Sequence, residues 1–226
     1  MTKNCSDFSG KLCLVTGAGQ GIGLACTKSL LTQGARVIAC DITHSALDSL
    51  QLSLTDQLRS QTLLVPFDLS DSSAIQTACH SLEHDKLIPD YVITCAGILQ
   101  LGAVLDLSLA SLSKTLDINL KGTMLLTQHL AKLLVKHGKR GAIVAVGSNA
   151  ADTPRVNMSA YCAAKAGLHM WIQCLGLELA EHGIRCNIVS PGSTRTPMQE
   201  QMWNETYGER ETCLLYTSDA ADDYIR

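Results

Sequence analysis

The sequence predicts a three-layer α/β/α fold in which a doubly wound parallel sheet lies between two layers of helices. Three observations predict this fold class. Short apolar runs, typical of strands buried on both faces, alternate six times with longer helical segments. A glycine-rich turn joins the first run directly to the first helix. Polar residues end three of the runs, at the strand ends where such sheets collect ligands.

The strands follow from apolar runs that end at a glycine, a proline or a polar residue. These runs are too short to favour helices. Strands that alternate with helices are joined by crossovers, so the sheet is predicted to be parallel. The predicted strands span residues 12–16, 36–40, 62–67, 91–95, 142–146 and 184–189.

The helices follow from the longer segments between these runs and from the residues that end them. Gly34 ends the first helix, and a long helical region ends in Lys136, His137 and Gly138, which supply positive charge and a cap glycine. The predicted helices span residues 24–33, 45–59, 70–85, 108–137 (as one helix or two) and a final stretch that includes Tyr161 and ends near residue 182.

The composition is that of one α/β domain, which we expect to span residues 7–212. The chain has 226 residues, of which 46% are hydrophobic, enough for a sizeable core. Its net charge of −3 gives no reason to expect a nucleic-acid partner. There is no apolar run of membrane-spanning length and no signal-peptide core, so we expect a cytoplasmic protein with no membrane partner.

Cysteine and histidine usage predicts neither disulfides nor a metal site. The ten cysteines are scattered through apolar runs without a CxxC pair, as expected of free thiols in a reducing cytosol. His80 and His84 share one helix face, but no third ligand follows at a useful spacing. We therefore expect no bound metal.

The glycine-rich turn predicts a nucleotide site. Its pattern is Gly17-x-x-x-Gly21-x-Gly23, and it opens a helix directly after the first buried strand. Glycines there allow a tight turn and let a pyrophosphate approach the helix N-terminus, where free N–H groups favour anions. An ordinary strand-to-helix turn is the alternative, which this context disfavours.

Asp41, at the end of the second strand, predicts the kind of cofactor. A carboxylate at this position can accept hydrogen bonds from both ribose hydroxyls of an adenosine, and it would repel a 2′-phosphate. Gln20 adds no positive charge to the glycine-rich turn. We therefore expect NAD rather than NADP.

Tyr161 and Lys165 are the predicted proton-transfer pair. They lie four residues apart in a helix, and so on one face. Tyrosine is a poor base at its usual pKa of about 10, and a neighbouring ammonium is expected to lower that pKa toward neutrality. Ser148 ends the fifth strand, thirteen residues before Tyr161, so its hydroxyl can reach the same substrate oxygen.

These motifs together resemble the short-chain dehydrogenase/reductase family, whose members share the Rossmann fold. The resemblance covers residues 7–205 and also includes Cys95-Ala96-Gly97, Asn119 and Pro191-Gly192-x-x-x-Thr196. Thr94 and Cys95 are a departure, because the family often has two asparagines there.

The resemblance implies roles for further residues. Asn119 would complete a catalytic tetrad with Ser148, Tyr161 and Lys165, kink its helix and hold a water that relays protons to Lys165. Asp68 would contact adenine, and Thr196 the nicotinamide amide. The implied cofactor contacts are Gly17, Gln20, Gly21, Ile22, Gly23, Asp41, Asp68, Ala96, Gly97, Tyr161, Lys165, Pro191 and Thr196.

Four stretches, 8–11, 96–103, 153–161 and 191–199, narrow the class of substrate. They are similar to one subgroup of the family, which oxidises a carboxylate-bearing cyclic diol with NAD⁺ in catechol siderophore biosynthesis. Arg155 could pair with that carboxylate, or it could only support its loop. Met158 could line the pocket or fill the core, and Gln100 occupies a substrate position where the subgroup is expected to have arginine.

Two other functions remain open at this stage. One is a different short-chain enzyme, such as a 3-oxoacyl carrier-protein reductase, which would usually prefer NADP. The other is a nucleotide-binding regulator without activity, which would be expected to lose Tyr161 or Lys165.

The end of the chain and the surface of the Tyr161 helix carry two more expectations. Residues 213–226 follow no family pattern and resemble translated adapter sequence, so we expect a non-native tail and a sheet whose last strand region is missing. Apolar residues on the helix after Tyr161 exceed what one sheet face needs, which favours a homo-oligomer, a dimer or tetramer, for the complete protein.

Overall fold

A computed structural model describes residues 8–192 and 194–207, with side chains described as far as residue 202. Six parallel strands form one sheet in the order β3-β2-β1-β4-β5-β6, which confirms the predicted doubly wound fold. The strands are β1 (Leu12–Thr16), β2 (Arg36–Asp41), β3 (Thr62–Pro66), β4 (Tyr91–Thr94), β5 (Gly141–Val146) and β6 (Ile184–Val189).

Helices connect the strands and cover the sheet. The first, α1, begins at Gly21, three residues earlier than predicted, because the glycine-rich turn itself opens the helix. The helices are α1 (Gly21–Thr32), α2 (His44–Leu52), α3 (Asp56–Ser60), α4 (Ser72–His84), α5 (Leu109–Leu116), α6 (Thr123–Lys136), α7 (Ser159–Leu179) and α8 (Pro197–Tyr207).

The predicted single helix at residues 45–59 is wrong, because the chain forms α2 and α3 instead. Thr43 caps the start of α2 by accepting a hydrogen bond from the backbone N–H of Ala46. Thr55 caps α3 in the same way, accepting from Leu58. A threonine cap within an otherwise helical segment starts a new helix, and an apolar pattern alone does not reveal it.

The long helical region between β4 and β5 is interrupted by a π-helical turn. This turn spans Asp117–Gly122 and joins α5 to α6. Gly122 is required there, because a Cβ at this position would overlap the backbone carbonyl of Leu69. The wider turn lies around Asn119, which is fully buried.

Each face of the sheet packs on its own set of helices. One core cluster joins a sheet face to α4, α6 and α7 through side chains such as Ile143, Leu130 and Ile172. The other joins the opposite face of β1 and β2 to α1 and α2, through side chains such as Val15 and Leu47. This is the three-layer arrangement that the alternation of strands and helices predicts.

The chain order of the strands reverses between β1 and β4, which are neighbours in the sheet. The connections after these two strands leave in opposite directions, so a crevice opens at their carboxyl ends. The crevice is bordered by the glycine-rich turn after β1 and by Cys95-Ala96-Gly97 after β4.

Three further predictions concern membrane-spanning helices, the cysteines and the end of the chain. No helix in the described ranges is both long enough and apolar enough to cross a bilayer. The described cysteines are free thiols, namely Cys13, Cys26, Cys40, Cys79, Cys95, Cys162, Cys174 and Cys186. The predicted non-native tail at 213–226 lies outside the described residues.

Candidate active site

A cavity of about 770 Å³ lies at the carboxyl ends of the strands. It extends from the glycine-rich turn to the start of α7, so one space contains both the predicted nucleotide site and the predicted proton-transfer pair. The predicted cofactor residues that line it are Gly17, Gln20, Gly21, Ile22, Gly23, Asp41, Asp68, Ala96, Gly97, Tyr161, Lys165, Pro191 and Thr196.

The glycine-rich turn depends on glycine for both its conformation and its packing. Gly17 has a φ of +66°, and a Cβ there would lie 3.0 Å from the backbone of Ala96. A Cβ on Gly23 would overlap the Gly17 carbonyl. The backbone is therefore bare where a pyrophosphate would approach the N-terminus of α1, and these residues fit such a group.

Asp41 is held at the rim of the cavity by two backbone hydrogen bonds. Its Oδ2 accepts from the N–H of Gly19 at 2.9 Å, and its Oδ1 accepts from Ile42 at 2.8 Å. These bonds fix the carboxylate while leaving lone pairs on both oxygens. Asp68 is held similarly, with Oδ1 accepting from the N–H of Ser70 at 2.7 Å.

The segment after β4 is fixed by two side chains from elsewhere. The Thr16 hydroxyl accepts a hydrogen bond from the N–H of Ala96 at 3.1 Å. The Asn119 amide makes a closed pair with the backbone of Ile98, accepting from its N–H and donating to its carbonyl, both at 2.8 Å. Asn119 lies in the π-helical turn and, through these two hydrogen bonds, holds the segment after β4 in place.

Ser148, Tyr161 and Lys165 come together at the inner end of the cavity. The Ser148 hydroxyl lies close enough to the Tyr161 phenol to lower its pKa. The Lys165 ammonium nitrogen lies 5.7 Å from the centre of the Tyr161 ring and donates to the Val146 carbonyl at 2.8 Å. Both residues are buried, with 9% of Tyr161 and 5% of Lys165 exposed.

Burial, and not Lys165, dominates the ionisation of Tyr161. Loss of hydration raises the pKa of the phenol above its usual range, the Ser148 hydrogen bond and the Arg155 charge lower it, and Cys162 raises it. The prediction that Lys165 lowers the pKa of Tyr161 toward neutrality is therefore wrong for the protein without a bound cofactor. The physical reason is that desolvation outweighs the nearby charges.

Lys165 is itself shifted by the same burial. Desolvation lowers the pKa of its ammonium to about 8, and the nearby Cys95 thiol partly opposes that shift. A lysine with this pKa can change its protonation state near neutral pH, which makes it a candidate member of a proton relay.

The predicted substrate residues do not all reach the cavity. Arg155 and Met158 line it, in the loop between β5 and α7. Gln100 is not among the lining residues, and its Oε1 is buried without a hydrogen-bond partner in the described structure. The side chain of Gln100 therefore lies behind the wall and not in it.

Several lining residues were missed by the sequence arguments. Ile42, Phe67 and Leu69 form an apolar wall beside Asp41 and Asp68. Their positions next to the two aspartates were the available signal. Met202, in α8, gave none, because its place depends on how α8 packs over the cavity.

The combination of this fold and this site defines a class of enzyme. A bare glycine turn beside a fixed carboxylate suits a dinucleotide, and a buried Ser–Tyr–Lys group in the same cavity suits proton transfer to or from an alcohol. The short chain dehydrogenase family model matches residues 11–206. The chain belongs to this family of oxidoreductases.

Individual relatives agree with this assignment. The chain is 38% identical over 209 residues to the vibriobactin-specific 2,3-dihydro-2,3-dihydroxybenzoate dehydrogenase of Vibrio cholerae serotype O1, covering 92% of this chain and 79% of the relative. It is 38% identical over 208 residues to the Bacillus subtilis 2,3-dihydro-2,3-dihydroxybenzoate dehydrogenase, with the same coverage.

A solved structure is similar as well. It is 4-hydroxyisoleucine dehydrogenase complexed with NADH, with a TM-score of 0.79 and 33% identity. The match covers 87% of this chain and 79% of that one. Nearly the whole described fold is therefore shared with an enzyme whose structure contains a nicotinamide dinucleotide.

Proposed function

We propose that this protein oxidises 2,3-dihydro-2,3-dihydroxybenzoate to 2,3-dihydroxybenzoate with NAD⁺. The observation that carries the proposal is Arg155, whose guanidinium lines the cavity and is close enough to influence the ionisation of Tyr161. No carboxylate in the described part of the chain forms a salt bridge with it. An unpaired guanidinium beside a catalytic phenol suits a substrate that carries both an alcohol and a carboxylate.

The two named relatives support this choice of substrate, because both are dehydrogenases of that compound. Loss of hydride from C3 and of the proton from its hydroxyl gives a ketone, which tautomerises to the aromatic catechol. A bound NAD⁺ supplies the hydride acceptor. The residues that would hold it are the glycine-rich turn, Asp41, and the segment around Ala96.

The chain's own groups supply the proton transfer. Tyr161, as phenolate, takes the C3 hydroxyl proton, and Ser148 hydrogen-bonds the same oxygen. Lys165 accepts or returns protons from a buried position, where its lowered pKa suits the task. Asn119 acts through the backbone of Ile98, which it clamps on both polar atoms. Arg155 orients the substrate by its carboxylate.

The test is incubation of the protein with the dihydrodiol and NAD⁺. We expect nicotinamide reduction at 340 nm and an equal amount of catechol by chromatography. A parallel panel contains a neutral carboxamide of the dihydrodiol and a 3-hydroxyacyl thioester with either cofactor. Preferential turnover of the thioester would favour a ketoreductase and contradict the proposal.

The role of Arg155 is tested by removing the positive charge from the protein and, separately, the negative charge from the substrate. Arg155→Ala should raise KM for the dihydrodiol about 10- to 100-fold, as expected for loss of a charged hydrogen bond, with a smaller change in kcat. Arg155→Lys, the matched control, should recover part of the loss. The carboxamide should have a similarly high KM with the wild-type protein and with Arg155→Ala. If Arg155→Ala instead raises KM by the same factor for the dihydrodiol and the carboxamide, Arg155 only supports its loop.

The choice of NAD is part of the same proposal and depends on Asp41. Asp41→Asn keeps the shape of the side chain but removes the charge that would repel a 2′-phosphate. We expect the ratio of kcat/KM for NAD⁺ over NADP⁺ to fall at least about tenfold. A wild-type enzyme that prefers NADP⁺ would refute this part alone.

We also infer that the protein self-associates through α7. Met170, Cys174 and Leu177 are exposed at helical spacing on its outer face, with Leu177 81% exposed. Leu177→Lys should lower the mass measured by light scattering, whereas Leu52→Lys, an equally exposed leucine at the end of α2, should not. Equal masses for both variants and wild type would contradict an α7 interface.

A further inference from the structure

His169 connects three elements behind the catalytic group. It lies in α7, one helical turn beyond Lys165. Its ring Nε2 is 3.1 Å from the hydroxyl oxygen of Ser190, which follows β6. The ring also lies against the backbone of Gly147, where an added Cβ would be 2.5 Å from Nε2 and 3.0 Å from the Ser190 hydroxyl.

The two residues that His169 touches stand next to residues of the cavity wall. Gly147 precedes Ser148, and Ser190 precedes Pro191. The N–H of Gly147 donates to the carbonyl of Val189 at 2.8 Å, so the ends of β5 and β6 are also bonded to each other. The imidazole therefore contacts a pair of strand ends that are already linked.

A second contact joins α7 to the same strand end. Lys165 donates to the carbonyl of Val146, the residue before Gly147. The approach of the Ser148 hydroxyl to the Tyr161 phenol involves the same two elements, because Ser148 follows β5 and Tyr161 lies in α7. Its geometry depends on how α7 is placed against the end of β5.

We propose that His169 is a positioning residue that holds α7 against the ends of β5 and β6 and thereby keeps the Ser148 hydroxyl beside the Tyr161 phenol. This contact also requires glycine at position 147, because any side chain there would occupy the space of the imidazole. The inference rests on the proposed dehydrogenase function, in which Ser148 and Tyr161 act on one substrate oxygen.

The first test measures the pKa of Tyr161 without turnover, by carbon NMR of ring-labelled tyrosine, with Tyr161→Phe to assign the signal. The nearby Ser148 hydroxyl lowers this pKa, so moving it away in His169→Ala should raise the pKa, by about one unit. His169→Gln keeps a polar group that can reach Ser190 and should restore the wild-type value. Because no substrate is used, this result stands even if the proposed substrate is wrong.

The second test uses kinetics and a double-mutant cycle. His169→Ala should lower kcat about tenfold and leave KM for NAD⁺ nearly unchanged. Gly147→Ala should produce the same loss by displacing the imidazole, and the two changes together should cost no more than either alone. Gly176→Ala, elsewhere in α7 with its nearest contact at 3.4 Å, should change neither quantity.

Three results would overturn the inference. One is an unchanged Tyr161 pKa and kcat in His169→Ala. Another is additive losses in the Gly147→Ala/His169→Ala double variant, which would mean that the two residues act independently. A lower melting temperature without a shift in the Tyr161 pKa would also contradict it, because it would assign His169 to stability alone.

Discussion

The two halves of the cavity are built differently. The half around β1 and β2 is held together by backbone hydrogen bonds, such as the one from the Ala18 N–H to the Cys40 carbonyl at 3.0 Å. The half around residues 98–108 and 152–158 consists of loops, in which Leu105 is 96% and Val156 88% exposed. In the described structure one backbone hydrogen bond joins these loops, from the Gly102 N–H to the Asn157 carbonyl at 2.9 Å.

The two halves are therefore expected to tolerate substitutions to different degrees. Backbone shape around a dinucleotide tolerates few substitutions, since a single Cβ can fill the space. Exposed loops tolerate many, so substrate preference can change there while the scaffold remains. Tyr161 lies where the two halves meet, and it is the proton acceptor of the proposed reaction.

The largest expected effect is therefore at this meeting point. Tyr161→Phe removes the proton acceptor and should lower kcat by about 10²- to 10⁴-fold, while the dissociation constant for NADH, measured by fluorescence, stays within about twofold. In the wild type, burial raises the pKa of Tyr161, so kcat for oxidation should increase with pH as the phenolate forms. A flat pH profile would mean that another group takes the proton.

An intermediate effect is expected in the nucleotide half. Gly23→Ala brings a methyl group onto the Gly17 carbonyl, and we expect NADH affinity to fall roughly 10- to 100-fold, from an overpacking cost of about 1–3 kcal/mol. Gly102→Ala, in the loop half, has only Leu107 within contact at 3.5 Å and should leave NADH affinity unchanged. Equal losses at both glycines would remove the distinction between the halves.

A smaller effect concerns stability and Lys165. Its pKa is lowered from 10.5 in the unfolded chain to about 8, so the unfolded state binds the extra proton between these values. The free energy of unfolding of the wild type should therefore rise from pH 8 to 10.5 relative to Lys165→Met, by at most about 3 kcal/mol at about 1.4 kcal/mol per pKa unit. Urea denaturation at pH 7, 9 and 10.5 measures the difference, and parallel curves would contradict a buried, shifted ammonium.

Local patterns explain why the strands were predictable. A strand buried on both faces is a short apolar run, and five of the six predicted starts match the structure, the exception being β5, which begins one residue earlier, at Gly141. The glycine-rich turn is equally local, because its conformation and its packing both require residues within a few positions. Helix boundaries were harder, since the threonine cap of α3 has no effect on the apolar pattern.

The sequence by itself determined the order of strands and helices, the chemistry available at each strand end and the family, because these depend on residue types at short spacing. Only the tertiary structure decided the ionisation of Tyr161, the exclusion of Gln100 from the cavity and the contact of His169 with Gly147. Each depends on which distant segments pack around a group and remove water from it. Desolvation and packing are properties of the assembled fold, and no spacing along the chain carries them.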